Sequence, residues 1–140
     1  MAFSYGNIAV LELDNASGTI TDVSAYVSSV SLTIDRDTTD LPRLGGNQVA
    51  KLVGPPGSEF SVEGWFDPTI DAILGVWQLE ANQTARTIFY GPAGSATSAI
   101  KYSGEVFLST YDPDTSASDA ASWSATFLVD TSGLTRGTFA

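Results

Sequence analysis

The chain has 140 residues, no cysteine and no histidine, with 43% hydrophobic and 11% aromatic residues and a formal charge of −10 from sixteen acidic and six basic side chains. That composition excludes disulfides, thiolate and imidazole metal sites, structural zinc, Cys or His nucleophiles and the imidazole general base. It also opposes tight nucleic-acid binding, which is driven by clustered Lys and Arg.

A chain of this length buries about two-thirds of its extended surface around one core, so a single domain spanning 1–140 is expected. No apolar run approaches the roughly 20 residues of a membrane helix. The start, MAFSYG, lacks the basic and apolar regions of a secretory signal. A soluble protein folding in a cytoplasm, without a membrane partner, is the expectation.

The first strand is read from Asn7 to Leu13, followed by strong turn chemistry from Asp14 to Gly18. Thr19 to Val27 is a second short extended run. Val30, Leu32 and Ile34 then alternate with Ser31, Thr33 and Asp35, the period of a strand with one buried face. From Arg36 to Ser58 the periodicity disappears and Pro42, Gly45, Gly46, Gly54, Pro55, Pro56 and Gly57 accumulate. This predicts a long loop over about 36–57, with at most a short extended piece from Gln48 to Val53. Such a loop costs conformational entropy and makes most sense when a neighbour orders it.

Phe60, Val62, Gly64 and Phe66 alternate with Ser61, Glu63 and Trp65, so a strand returns with Trp65 aimed away from its apolar face. A helix is expected over about 67–82. Asp67 suits the N-cap, Pro68 the first helical position, and Asp71 the positive helix end. Ile70, Ile73, Leu74 and Trp77 fall on one buried stripe. Further strands are read at Arg86 to Tyr90, Ala99 to Tyr102, Glu105 to Tyr111 and Ser122 to Val129. Asp112 to Asp119 reads as a polar turn, and 133–140 as a loose C-terminal tail. The fold class is therefore mainly β, a β-sandwich or rolled barrel of about seven or eight strands with one flanking α-helix.

Several short motifs have a bland reading that outweighs the chemical one. Asp35, Asp37 and Thr39 match the D-x-D-x-T of haloacid-dehalogenase-type phosphatases, but the surrounding pattern is hairpin-like and not a parallel sheet with helical crossovers. Asp35, Asp37 and Asp40, or Asp112, Asp114 and Asp119, carry oxygen ligands for calcium yet lack EF-hand spacing, so solvated loop acids are expected. Glu59, Glu63, Glu80 and Glu105 supply carboxylates for a glycosidase pair, with nothing to fix their separation. Trp77 and Trp123 sit on apolar stripes and are read as core. The sequons at Asn15 and Asn82 carry little weight without a secretory signal. No cofactor, metal or catalytic residue is assigned.

The order of the Val30 to Ile34 strand, the segment Asp37 to Gly46 (DTTDLPRLGG), Val53-Gly54, the strand Phe60 to Asp67 (FSVEGWFD) and a helix resembles the major tail tube proteins of long-tailed bacteriophages. The resemblance covers roughly residues 7 to 130, most sharply 27 to 80, and lies in layout more than in a signature. It departs at Gly54 to Gly57, where the family often has a less rigid turn, and the immunoglobulin-like domain of some relatives is not expected.

The resemblance implies a non-enzymatic subunit of a virion tail, made in the bacterial host cytoplasm, that closes into hexameric rings stacked into a DNA-conducting tube. Its partners would be copies of itself and the tail terminator, tape-measure and tail-tip proteins, with DNA passing through without specific binding. Six copies carry six times −10, or −60, per ring, a wall that repels DNA and lets it slide. The loop 36–57 becomes an assembly arm. Leu41, Leu44, Leu52 and Val53 are its expected apolar anchors, and Asp37, Asp40, Arg43 and Lys51 set register by charge. The competing classes are a carbohydrate-binding β-sandwich module, suggested by Trp65 and Tyr111, and a carboxylate-dependent hydrolase.

Overall fold

The computed structural model describes residues 8–15, 18–42, 44–46 and 50–139. Among the described residues the strands are β1 (Val10–Asp14), β2 (Ile20–Asp22), β3 (Val27–Leu41), β4 (Ala50–Trp65), β5 (Arg86–Gly91), β6 (Ile100–Ser116), β7 (Asp119–Val129) and β8 (Thr135–Thr138), with a 3-10 turn at Ser24–Tyr26 and one α-helix, α1 (Pro68–Gln78), between β4 and β5. All eight strands belong to one antiparallel sheet in the order β2-β1-β5-β6-β7-β4-β3, with β8 added on β6. The expected mainly β, rolled architecture with a single helix is what the chain adopts, and the sheet is not closed on itself.

The period-two pattern decides which face is buried. In β4, Phe60, Val62 and Gly64 are buried while Glu59, Ser61, Glu63 and Trp65 are exposed. Their partners Phe127, Ala125 and Trp123 on β7 are buried with them, as directly opposed residues share a face. Leu11, Leu13, Ile88, Val106 and Leu108 complete the sheet's share of the core. Gly64 is required by a close approach, because a Cβ there would lie 1.8 Å from the Tyr26 carbonyl oxygen. That carbonyl and the one of Trp65 both accept from the Trp123 indole N–H, each at 3.1 Å.

Helix α1 forms as the sequence predicts. The Asp67 carboxylate accepts from the Thr69 N–H at 2.8 Å, and Pro68 occupies the first turn. Ile70, Leu74 and Trp77 are buried against the sheet. The helix ends at Gln78, short of 82, because the next polar side chain on the buried stripe, Glu80, turns to Arg86. The Trp77 indole also donates to the Thr84 carbonyl at 2.9 Å, which holds the following chain back against the helix end.

The strands read at Ala99 to Tyr102 and Glu105 to Tyr111 are one, β6, and the run Thr19 to Val27 is β2 followed by a 3-10 turn at Ser24–Tyr26; three further segments depart from the sequence reading. The expected loop 36–57 is instead mostly strand. β3 runs on to Leu41 and β4 begins at Ala50, paired from Asp35↔Gly57 to Leu41↔Ala50. Its prolines are tolerated because the pairing with β7 stops at Glu59↔Leu128, so this part of β4 has one neighbour and an idle edge. A bulge between Arg36 and Thr38 absorbs the extra residue of the Gly-Pro-Pro-Gly run. The expected turn Asp112 to Asp119 is likewise strand except at its tip, with Pro113 opposite Trp123. The expected tail pairs as β8, Thr135–Thr138 against Ile100–Ser103, because the start of β6 has a side that β5 leaves open.

Candidate assembly surfaces

Beyond Glu59↔Leu128 the two strands β3 and β4 leave the sheet as a two-stranded arm. From Ile34 to Leu41 it projects roughly 25 Å at the usual strand rise. The tip of the β6–β7 hairpin, beyond Asp114↔Ser122, projects at the opposite end, since Trp65 pairs with Ser122 there. The molecule therefore has a protrusion at each end of its strands.

The arm carries the residues that the sequence singles out, and the register divides them. Thr38 opposes Val53 and Asp40 opposes Lys51 on one face; Thr39 opposes Leu52 and Leu41 opposes Ala50 on the other. Leu41 and Leu52 are thus diagonal neighbours, on the side to which alternation also assigns Asp37. Val53 lies on the reverse with the Lys51–Asp40 ion pair, 2.6 Å long and with both side chains more than 60% exposed. Leu44, at the turn, is fully exposed. Arg43 lies outside the described residues. The Arg36 guanidinium donates to the Gly54 carbonyl at 3.1 Å and braces the bulge. The arm thus exposes Ile34, Leu41, Leu44, Leu52 and Val53 together, and a free ribbon with that many apolar side chains marks an interaction surface.

A second surface was hidden from composition alone. On the outer face of β3, β4, β7 and β6, opposed residues form rows: Asp35 beside Gly57, Thr33 beside Glu59 and Leu128, Ser29 beside Glu63, Ser124 and Asp112, and Trp65 beside Ser122 and Asp114. Asp35, Glu59, Glu63, Asp112 and Asp114 are all exposed. No Lys or Arg occurs in 27–35, 57–65, 107–116 or 119–129. Hydroxyls and the exposed Trp65, Phe107 and Leu128 lie between the carboxylates, so every charge on this face is negative.

The third surface is the edge of β6 beside α1. At Leu108 the free edge is capped: its N–H donates to the Gln83 side-chain oxygen at 2.9 Å and its carbonyl accepts from the Gln83 amide at 3.1 Å. The Gln78 amide donates to the Ser109 carbonyl at 3.2 Å. From Thr110 to Ser116, β6 pairs with β7 on one side, and among the described residues no strand lies on the other. A groove of about 400 Å³ runs between that edge and the helix, lined by Asp71, Gly75, Val76, Leu79 and Tyr111. Leu79 is 87% exposed and Val76 more than half exposed. The Tyr111 hydroxyl donates to Asp71 at 2.8 Å. Burial first, and then this bond and the nearby negative charge, push the Tyr111 pKa well up. The alternation through Tyr111 on β6 and Trp123 and Ala125 on β7 is the signal that would have revealed this long hairpin.

The geometry gives no support to the enzyme readings. Asp35 and Asp37 lie on an antiparallel ribbon, not at the end of a parallel strand. Glu59 and Glu63 share a face but stand four residues apart along β4, roughly 13 Å, beyond the reach of a glycosidase pair. Glu80 is engaged by Arg86 at 3.2 Å, and Glu105 accepts from the Thr87 hydroxyl at 2.6 Å. Among the described residues no group of three or more acidic side chains is placed to hold a metal ion. Trp77 and Trp123 are core, as expected, and Trp65 is 59% exposed on the acidic face.

No family model matches the chain, and no curated protein does either. Solved structures do. The tail of an empty gene transfer agent particle, determined with helical refinement and C6 symmetry, superposes with a TM-score of 0.76 at 15% identity, covering 97% of this chain and 100% of that one. The SPP1 tail tube superposes with a TM-score of 0.73 at 12% identity over 97% of this chain and 80% of that one. The sheath-tube complex of an extracellular contractile injection system gives 0.72 at 16% identity, over 97% and 92%. The chain has the tail tube fold.

Proposed function

We propose that this protein is the structural subunit of a phage-type tail tube, assembling into hexameric rings that stack into a hollow conduit for DNA. The observation that carries the reading is the combination, on a tail tube fold, of a free apolar arm at one end of the sheet and an outer face that has no Lys or Arg over 27–35, 57–65, 107–116 and 119–129. The arm reaches a neighbouring subunit or ring. There Leu41, Leu44, Leu52 and Val53 are covered, and Asp37, Asp40, Arg43 and Lys51 select the register. The outer face of β3, β4, β7 and β6 lines the bore. A wall whose only charges are carboxylates offers DNA no counterion-releasing contact, so the duplex slides without sticking. Tail terminator, tape-measure and tail-tip proteins are the partners that such a polymer requires at its ends and within it, and the virion tail is its location.

The direct test is electron microscopy of the purified, concentrated chain. Stacked rings with a central channel are the expected result. Persistently monomeric particles under all assembly conditions, together with specific retention on a glycan array, would overturn the tube in favour of a carbohydrate-binding module.

A further inference from the structure

The ladder between β5 and β6 ends at Arg86↔Val106, and its register would next set Thr84 opposite Leu108. The chain leaves the ladder there instead. The Thr84 carbonyl accepts from the Trp77 indole at 2.9 Å, and the Gln83 side-chain amide takes the place opposite Leu108. It accepts from the Leu108 N–H at 2.9 Å and donates to the Leu108 carbonyl at 3.1 Å. We propose that segment 79–85 is a strap that keeps this stretch of the β6 edge shut in the free chain, the Gln83 amide standing in for a strand, and that release of the amide is a brake on association. This holds whether or not the chain forms tubes.

The strap lies where the edge has no other protection. Farther along β6, Asp112 and Asp114 bring charge to the border and Pro113 withholds a donor, two devices that discourage unwanted strand pairing. The run Val106 to Thr110 carries neither charge nor proline, and Phe107 in it is exposed. There the amides stand in. Gln78 closes the Ser109 carbonyl at 3.2 Å, and the Gln83 amide donates to the Gln78 side-chain oxygen at 3.3 Å, so two linked side chains cover three backbone groups.

The strap is also built to open. No residue from Leu79 to Ala85 is buried, and the segment belongs to neither α1 nor β5. Its anchors are Trp77 and Arg86, both buried, which hold it through the Thr84 carbonyl and Glu80. Gln83 can therefore swing away by rotating its own side chain while both anchors stay in place. Opening lengthens the free edge, which then runs without interruption from Leu108 to Ser116. Two neutral hydrogen bonds of ordinary net strength restrain this about 30-fold. An incoming strand replaces them with backbone bonds to the same two groups, so displacing the amide leaves no edge group unpaired.

Gln83→Ala and Gln78→Ala are compared with the wild type by amide hydrogen exchange on dilute protein and by light scattering on concentrated protein. In Gln83→Ala the Leu108 amide should exchange about 30-fold faster with circular dichroism unchanged, and the initial rate of association should rise toward the same factor. Gln78→Ala loses the Ser109 bond and the link to Gln83, and should give a smaller rise in both readings. Faster exchange with unchanged or slower association overturns the brake. Unchanged exchange at Leu108 in Gln83→Ala overturns it too, since the amide would then not be what guards the edge. Should Gln83→Ala lose its fold, Gln78→Ala decides by the same two readings. Microscopy of the products separates this from the tube reading: faster association with no tubes from any variant or the wild type upholds the brake and counts against the tube alone.

Discussion

The guanidinium of Arg86 lies 4.7 Å from the centre of the Trp77 ring, and both side chains are buried, Arg86 to 5% exposure. Arg86 also donates to the Ile73 carbonyl at 3.4 Å and to Glu80 at 3.2 Å, so one cation ties β5 to the C-terminal half of α1. Arg86→Ala should destabilise the monomer by about 2 kcal/mol, since it removes the packing on Trp77 and leaves a carbonyl without its partner. Arg86→Met should keep most of that packing and cost about 1 kcal/mol or less. Urea denaturation measures both. Equal losses for the two variants would mean that the charge, and not the stem, holds the helix end.

The arm's apolar side chains Ile34, Leu41, Leu44, Leu52 and Val53 are exposed and lie outside the monomer's core, so the proposed assembly role can be tested apart from folding. Replacing residues 38–52 by a two-residue Asn-Gly turn, which suits a tight hairpin, should leave near-native circular dichroism and a cooperative melt while abolishing tubes. Normal tubes from this variant would refute the arm assignment.

The Lys51–Asp40 pair is a surface pair and should behave as one. Lys51→Ala is expected to change monomer stability by no more than about 0.5 kcal/mol. Its effect should appear in the protein concentration needed for tubes to form. A loss above about 1 kcal/mol in the isolated monomer would show that the pair holds the ribbon together.

If the acidic face lines a bore, its accessibility must depend on reagent size. Ser61 is exposed in the middle of that face. In Ser61→Cys, a small maleimide should label both monomer and tube, and a maleimide on a long polymer only the monomer. Full labelling of tubes by the large reagent would place the face on the outside.

Tyr111 should ionise well above its ordinary value of 10.0, held neutral by burial and by Asp71. The folded-state value is the raised one, so the associated stability is fully present below pH 10 and is lost as pH rises above it, because the unfolded chain releases the proton first. Phenolate absorbance during an alkaline titration reports this. Asp71→Asn should bring the midpoint of Tyr111 down; an unchanged titration would remove Asp71 as a cause.

Much of the fold is legible in the chain because burial imposes a period. Phe60 and Val62 against Glu59 and Glu63, and Ile70, Leu74 and Trp77 over Asp67-Pro68, each encode an element and its inward face locally. Trp77 and Trp123 could be placed in the core for the same reason. The arm reads as a loop because Pro55, Pro56 and the nearby glycines signal a break, yet such residues break a strand only where both of its edges must pair. Nothing within residues 36–57 tells that the pairing of β4 with β7 ends at Glu59↔Leu128.

The sequence by itself determined the composition of the surfaces, acidic and free of Cys and His, and the local preference of nearly every element. Only the tertiary structure decided which carboxylates share a face, which edge of β6 is open, and that Gln78 and Gln83 close part of it. Those relations join residues far apart in the chain, 25 residues between Gln83 and Leu108 and 31 between Gln78 and Ser109. Strand pairing sets them through register, and a period of two carries no information about which strand lies alongside.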